Sequence, residues 1–310
     1  MRDRVLSVSG LTIVLAAAAL IPAGARVHGF TQPANPFASA KWTTGIGPSS
    51  PVAPPLVAGG TIDVNCDGSD DVLLQNGTNM IGTFLMDGNG TPSEFRFVYP
   101  GAIPWRVVGT GDLNSDGVSD ILVQNNSNWI GGILMSCTGV PTDFIYVFPG
   151  DTGGWQVAGM TDLNHDGIAD IVLQNAADWI GGILLNGTGG AVSFYYVYPG
   201  STGGWRVKAT GDVNSDGIGD LILQNSANWI AALTLGANGT ATSFNYVLPA
   251  TFVWEVSGAA DVNGDGIVDL LLQRGDTWVA TMIMNGLGQP YSFAYLYPGS
   301  TGGWHVVGGR

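Results

Sequence analysis

Cationic side chains are scarce in this chain of 310 residues: Lys and Arg together number 10, lysine occurs only at Lys41 and Lys208, and the formal net charge is -14. Nucleic-acid backbones are held by clustered cations, so this balance argues against a nucleic-acid partner. Histidine is limited to His28, His165 and His305, and glutamate to Glu94 and Glu255. Their scatter supplies no nucleophile with a base and an orienting acid, and the chain does not read as an enzyme. Cysteine occurs twice, at Cys66 and Cys137, in non-equivalent places. An oxidising compartment would permit one disulfide between them without implying it.

Long apolar runs are also missing, apart from Leu11 to Ile21. This run falls short of the ~20 residues needed to span a bilayer. Arg2 and Arg4 precede it and Ala23 and Ala25 follow it, the pattern of a secretory signal cleaved after Ala25. The expectation is a secreted or cell-surface protein with no membrane insertion after cleavage. Residues 26 to 55 carry Pro33, Pro36, Pro48, Pro51, Pro54 and Pro55 without a period, as a tether or a strap would.

Glycine, in contrast, is abundant at 48 residues, and 45% of the chain is hydrophobic. With only 11% charged residues, this suits short strands joined by tight turns and gives an all-β class. Self-comparison then decides the architecture. Asp63, Asp112, Asp162, Asp212 and Asp261 begin one motif at spacings of 49, 50, 50 and 49 residues. Trp105, Trp155, Trp205, Trp254 and Trp304 keep the same period.

One unit contains four apolar runs: Trp155 to Met160, Ile171 to Leu173, Trp179 to Leu185 and Phe194 to Tyr198. Asp-Gly, Asn-Gly and Pro-Gly signals separate them, as hairpins require. Consecutive apolar positions predict sheets covered on both faces. A β-propeller of about five four-stranded blades over 56–310 satisfies both features, whereas the rungs of a parallel β-helix are far shorter. Leu56 to Ala58 and Trp304 to Val307 both correspond to a first strand, which predicts that the spare one closes the ring.

Each unit carries Asp-x-Asn-x-Asp-Gly-x-x-Asp between its first two strands. Of the 24 acidic residues, 15 occupy its positions 1, 5 and 9. A hairpin turn accounts for positions 5 and 6 alone. Repeated carboxylates at 1 and 9 and an amide at 3 suit a hard cation that takes six to eight oxygens, about 2.3 to 2.6 Å away, and so point to Ca2+, about one per repeat. The expected ligands, with position 7 offering its carbonyl, are Asp63, Asn65, Asp67, Ser69 and Asp71, then Asp112, Asn114, Asp116, Val118 and Asp120. They continue with Asp162, Asn164, Asp166, Ile168 and Asp170, and with Asp212, Asn214, Asp216, Ile218 and Asp220. The fifth set is Asp261, Asn263, Asp265, Ile267 and Asp269. Cys66 and His165 fall at the variable position 4 and read as incidental.

These loops, the four-strand unit and the Gly-rich turns resemble FG-GAP/VCBS-type repeats, found in integrin α-subunit propellers and in bacterial secreted proteins. The resemblance covers 56–310 and implies calcium loops on one face of the disc. It departs from the family in having Trp-x-Val-x-Gly and Leu-Gln-Asn in place of Phe-Gly and Gly-Ala-Pro, and in blade number, which is usually seven. The functional expectation is a recognition or adhesion module for a macromolecule or a glycan. The alternatives are a structural surface component and a polysaccharide-acting hydrolase or lyase. Trp129, Trp179, Trp229 and Trp278, with Tyr146, Tyr196, Tyr246 and Tyr295, are expected to pack between blades, with sugar stacking as the other reading.

Overall fold

The computed structural model describes residues 63–67, 71–86, 92–99, 103–248, 253–260, 267–275, 278–298 and 304–307. The expected signal and tether, 1–55, lie outside the described residues, as does the expected front copy of the first strand. Among the described residues the regular structure is all β, in five four-stranded antiparallel sheets. The fold is a five-bladed β-propeller.

The first blade contains β1 (Val72–Asn76), β2 (Ile81–Met86) and β3 (Pro92–Tyr99). The second contains β4 (Trp105–Gly111), β5 (Asp120–Asn125), β6 (Ile130–Met135) and β7 (Pro141–Phe148). The third runs through β8 (Gln156–Thr161), β9 (Asp170–Gln174), β10 (Ile180–Leu185) and β11 (Ala191–Tyr198). The fourth has β12 (Arg206–Gly211), β13 (Asp220–Gln224), β14 (Ile230–Leu235) and β15 (Ala241–Leu248). The fifth has β16 (Glu255–Ala260), β17 (Asp269–Arg274), β18 (Trp278–Met284) and β19 (Pro290–Pro298), and β20 (Trp304–Val306) ends the series.

β20 pairs with β1, through Leu74 with Val306 and Asn76 with Trp304, and takes the first-strand place of the first blade. The predicted closing strand is thus present. Contacts between β4 and β8, β8 and β12, and β12 and β16 set first strands side by side around the axis.

The core lies in the seams between blades. One cluster joins Val64, Leu73 and Val98 of the first blade to Trp105, Ile121 and Ile133 of the second. A later one joins Val213, Ile222 and Val247 to Trp254, Val256 and Leu272. Small residues in the third strand make room for the large rings: a Cβ on Gly181 would sit 2.7 Å from Phe194 and 3.3 Å from Trp155. Trp155 therefore crosses its own sheet to meet Phe194 edge to face, with ring centroids 5.4 Å apart. Trp205 with Phe244 and Trp254 with Phe293 repeat the pair at 5.1 and 5.6 Å. Trp129, Trp179, Trp229 and Trp278 in turn pack on Tyr146, Tyr196, Tyr246 and Tyr295.

Each first strand is an edge of its sheet, so its outward main-chain groups need partners from elsewhere. A buried glutamine on the second strand of the preceding blade supplies them. Gln75 donates to the Trp105 carbonyl at 3.1 Å and accepts from the Val107 N–H at 2.9 Å. Gln174 does the same for Trp205 and Val207 at 2.9 and 3.0 Å.

One expectation needs correction. Second strands such as β9 and β13 are buried throughout, but β15 is exposed from Thr242 to Tyr246. As the outer edge of its blade this fourth strand is covered little by its neighbour, whereas β7, in the same place in the second blade, keeps Phe144 and Val147 buried.

Candidate functional site: the acidic loops

Strands alternate in direction within a blade, so the loops joining first to second strands and the turns joining third to fourth strands share one end of the ring. The acidic loops among the described residues lie at that end. Their folding is local and repeats from blade to blade. In the second blade the Asp112 carboxylate accepts the N–H of Asp116 at 3.2 Å and of Gly117 at 2.8 Å. Asn114 accepts from Asp116 N–H at 3.1 Å and donates to its carboxylate at 2.9 Å, and Asp116 accepts from Val118 N–H at 2.9 Å. Asp162, Asn164 and Asp166 repeat this with Ile168, and Asp212, Asn214 and Asp216 repeat it with Ile218. In the first loop, Asp63 and Asn65 both accept from Asp67 N–H.

Two positions of the loop carry positive φ. Gly117, Gly167 and Gly217 stand at 84°, 85° and 81°, a region that favours glycine. Position 4 is left-handed as well, with Cys66 at 56°, Ser115 at 59°, His165 at 61° and Ser215 at 61°. Its side chains vary, but its backbone does not.

Position 2 fixes the loop to the core. Val64, Leu113, Leu163 and Val213 are buried in the seams. Position 9 ties the loop to the sheet: Asp120 accepts from Leu113 N–H at 3.0 Å and from Met135 N–H at 2.8 Å. Asp170 takes Leu163 and Leu185 in the same way. Val64 N–H donates to Asp71, Leu235 N–H to Asp220 and Met284 N–H to Asp269.

Burial pushes the Asp120 carboxyl up to about 7, against the two N–H bonds, and the charges of Asp116 and Asp112 add to the rise. Burial likewise lifts Asp170 to about 6 and Asp220 to about 7. The position-9 carboxylates are thus fully enclosed, whereas Asp67, Asp116, Asp166 and Asp216 at position 5 face solvent. Among the described residues no three Asp, Glu, His or Cys side chains converge as a metal-holding group. Ser69 and the loop residues Asp261, Asn263 and Asp265 lie outside the described residues; Ile267 and Asp269 lie within them. The donor set is nonetheless all oxygen, from Asp and Asn side chains and main-chain carbonyls, which is the chemistry a hard cation requires.

The turn of the next blade lies against each of the first four loops. Cys66, at position 4 of the first loop, is disulfide-bonded to Cys137 in the turn after β6, with Cα atoms 5.0 Å apart. At the equivalent contact a Cβ on Gly187 would lie 2.9 Å from Ser115 Oγ, and one on Gly286 would lie 2.8 Å from Ser215 Oγ. The disulfide therefore links two blades at a point where the others merely touch. Sequence spacing left the pairing open because the two cysteines are not at equivalent repeat positions.

Fold and loops together define a five-bladed propeller with repeated oxygen-rich loops on one end. No protein-family model and no curated protein matches the chain. Among solved structures it is similar to an Agrocybe aegerita lectin described as recognising non-reducing terminal N-acetylglucosamine, at 22% identity over 77% of this chain and 65% of that one, TM-score 0.48. It is also similar to a chain of a nidogen/laminin complex, at 15% identity over 77% of this chain and 96% of that one, TM-score 0.45. The chain thus spans less than two thirds of the lectin's length. Among the described residues no helix is long and apolar enough to cross a membrane.

Proposed function

We propose that this chain is a secreted, calcium-binding recognition module of the FG-GAP/VCBS type, holding a macromolecule or a glycan at the loop-bearing end of the ring. One observation carries the reading: the same carboxylate and amide pattern folds the same way in the second, third and fourth blades, always against the next blade's turn. A turn alone needs no carboxylate at positions 1, 5 and 9 together. A divalent ion draws all three to one counter-charge.

Asp112, Asn114, Asp116 and Asp120, with the Val118 carbonyl, would hold the ion in the second blade, and the equivalent residues would do so elsewhere. Bound calcium would set the loops that form the recognition end and strengthen the seams beside them. The disulfide fits an oxidising compartment. The test is a glycan and surface-protein array probed with the purified protein in calcium and in EDTA. Binding that calcium restores after chelation supports the reading; binding indifferent to chelation, or no binding at all, counts against it.

A further inference from the structure

Four seams between consecutive blades are described, and three of them are filled at the same place. The filling residue comes from the fourth strand, opposite a small or short residue of the third. In the third blade's seam with the second, Ile145, paired with Gly132, fills the space so fully that a Cβ on Gly189 would collide with its Cδ1. In the next seam Tyr195, paired with Gly182, reaches over to donate to the Gly239 carbonyl at 3.3 Å. In the first seam Arg96 stands there, its Nη1 4.0 Å from the Cβ position of Gly139.

The fourth seam differs. The corresponding residue is Asn245, paired with Ala232, and its amide turns back along its own strand to donate to Ser243 at 2.8 Å. A Cβ on Gly288 would therefore meet nothing within 4 Å except Val213. A groove of about 340 Å³ opens between the fourth and fifth blades. Cavities of about this size and upward take small ligands.

We infer that this groove is a binding site for a neutral, polyhydroxylated ligand the size of one or two sugar rings. The inference rests on the recognition reading above and deepens it by placing a site. No charged side chain lines the groove, and its polar side chains are those of Asn214, Thr234, Asn245, Tyr246 and Gln289. Val213 and Ala232 give it an apolar floor. Amides and hydroxyls both donate and accept, which suits vicinal hydroxyls, and the apolar floor suits the C–H face of a pyranose. With no cationic side chain in its lining, the groove offers an anionic ligand no counter-charge. Asn214 is also position 3 of the acidic loop, so the ion proposed for that loop would fix one wall of the site.

The experiment compares the wild-type chain with Asn245→Ile and Asn245→Tyr, which install the residues that fill the other seams. A panel of uncharged mono- and disaccharides is titrated in calcium buffer, with binding read by saturation-transfer NMR and calorimetry. The expected result is millimolar or tighter binding by the wild type, weakened about tenfold or more in both variants, with unchanged melting temperatures. A Gln289→Ala variant, altered on an exposed turn, serves if the strand variants do not fold, and is expected to weaken binding as well. Undiminished binding in the variants overturns the site, as does a wild type that binds no sugar of the panel. Either failure leaves the recognition reading intact if the array still shows a calcium-dependent partner, and only a blank array removes both.

Discussion

The side-chain amide of Gln224 donates to the main-chain carbonyl of Trp254 at 2.9 Å, across the seam between the fourth and fifth blades. Its oxygen accepts the N–H of Val256 at 3.0 Å, so one buried side chain satisfies two groups on the free edge of the next sheet. Replacing it with an isosteric apolar residue leaves both groups buried and unpaired. Gln224→Leu is expected to lower unfolding stability by about 2 to 4 kcal/mol, measured by urea denaturation. Gln224→Glu should cost less only at acidic pH, where the protonated carboxyl keeps both an O–H donor and an acceptor, and more once the buried group is ionised.

Positions 9 and 3 of the acidic loop should separate in their effects. Asp120 is wholly buried and holds Leu113 and Met135 N–H groups, so Asp120→Ala should cost about 2 to 4 kcal/mol even in EDTA. Asn114→Ala alters a residue of the proposed ion site and should leave stability in EDTA within about 1 kcal/mol. In calcium, Asn114→Ala should lose part of the stabilisation that the ion confers, read as a smaller rise in melting temperature.

Calcium itself should raise the melting temperature progressively with concentration, because an ion held only by the folded ring contributes in proportion to the logarithm of its excess over the dissociation constant. Differential scanning calorimetry in calcium, magnesium and EDTA checks this. Equal curves in all three would remove the ion from the account.

The buried aspartates set a pH dependence for the calcium-free chain. Asp120 and Asp220 keep their protons in the folded state up to about 7 and Asp170 up to about 6, against an ordinary value of 3.8. The folded state therefore binds more protons than the unfolded chain between those limits, and stability falls as pH rises through them. The associated stabilisation is complete below about 4 and gone above about 7. Denaturation midpoints in EDTA should accordingly decline from pH 4.5 to 7.5, both values being about the edges of that window. Any part of the decline that calcium cancels reports the ion holding these groups ionised.

Reduction of Cys66 and Cys137, 71 residues apart, should destabilise the fold by about 4 kcal/mol in the chain-entropy account. Unfolding with and without reductant, alongside a Cys66→Ser and Cys137→Ser double variant, measures it. Loss of cooperativity confined to the first two blades would show that the staple acts locally.

Much of the architecture was legible because repetition amplifies weak signals. Five copies of Trp-x-Val and of the acidic loop fixed the period, the strand number and the spare terminal strand. The seam contacts were not legible, for a physical reason. Gln124 and Val157 are 33 residues apart, and neither carries a local mark of the other. Left-handed backbone at position 4 was hidden by side chains as different as Ser115 and His165. The separate duty of Asp120, bonded to Met135 rather than standing beside Asp112 as an equal, depends on a strand that only tertiary structure brings near. Asn245 looked like any exposed strand residue. Its meaning lies in the contrast with Ile145 and Tyr195 in the other blades.

The pairing of β20 with β1 also dictates an order of events during synthesis. Blades two to five hold all four of their strands as contiguous stretches of chain, so each can mature soon after it is made. The first blade lacks its final inner strand until His305 and its neighbours arrive. Of the five blades it is completed last, and its inner edge is the place where premature association between nascent chains should begin.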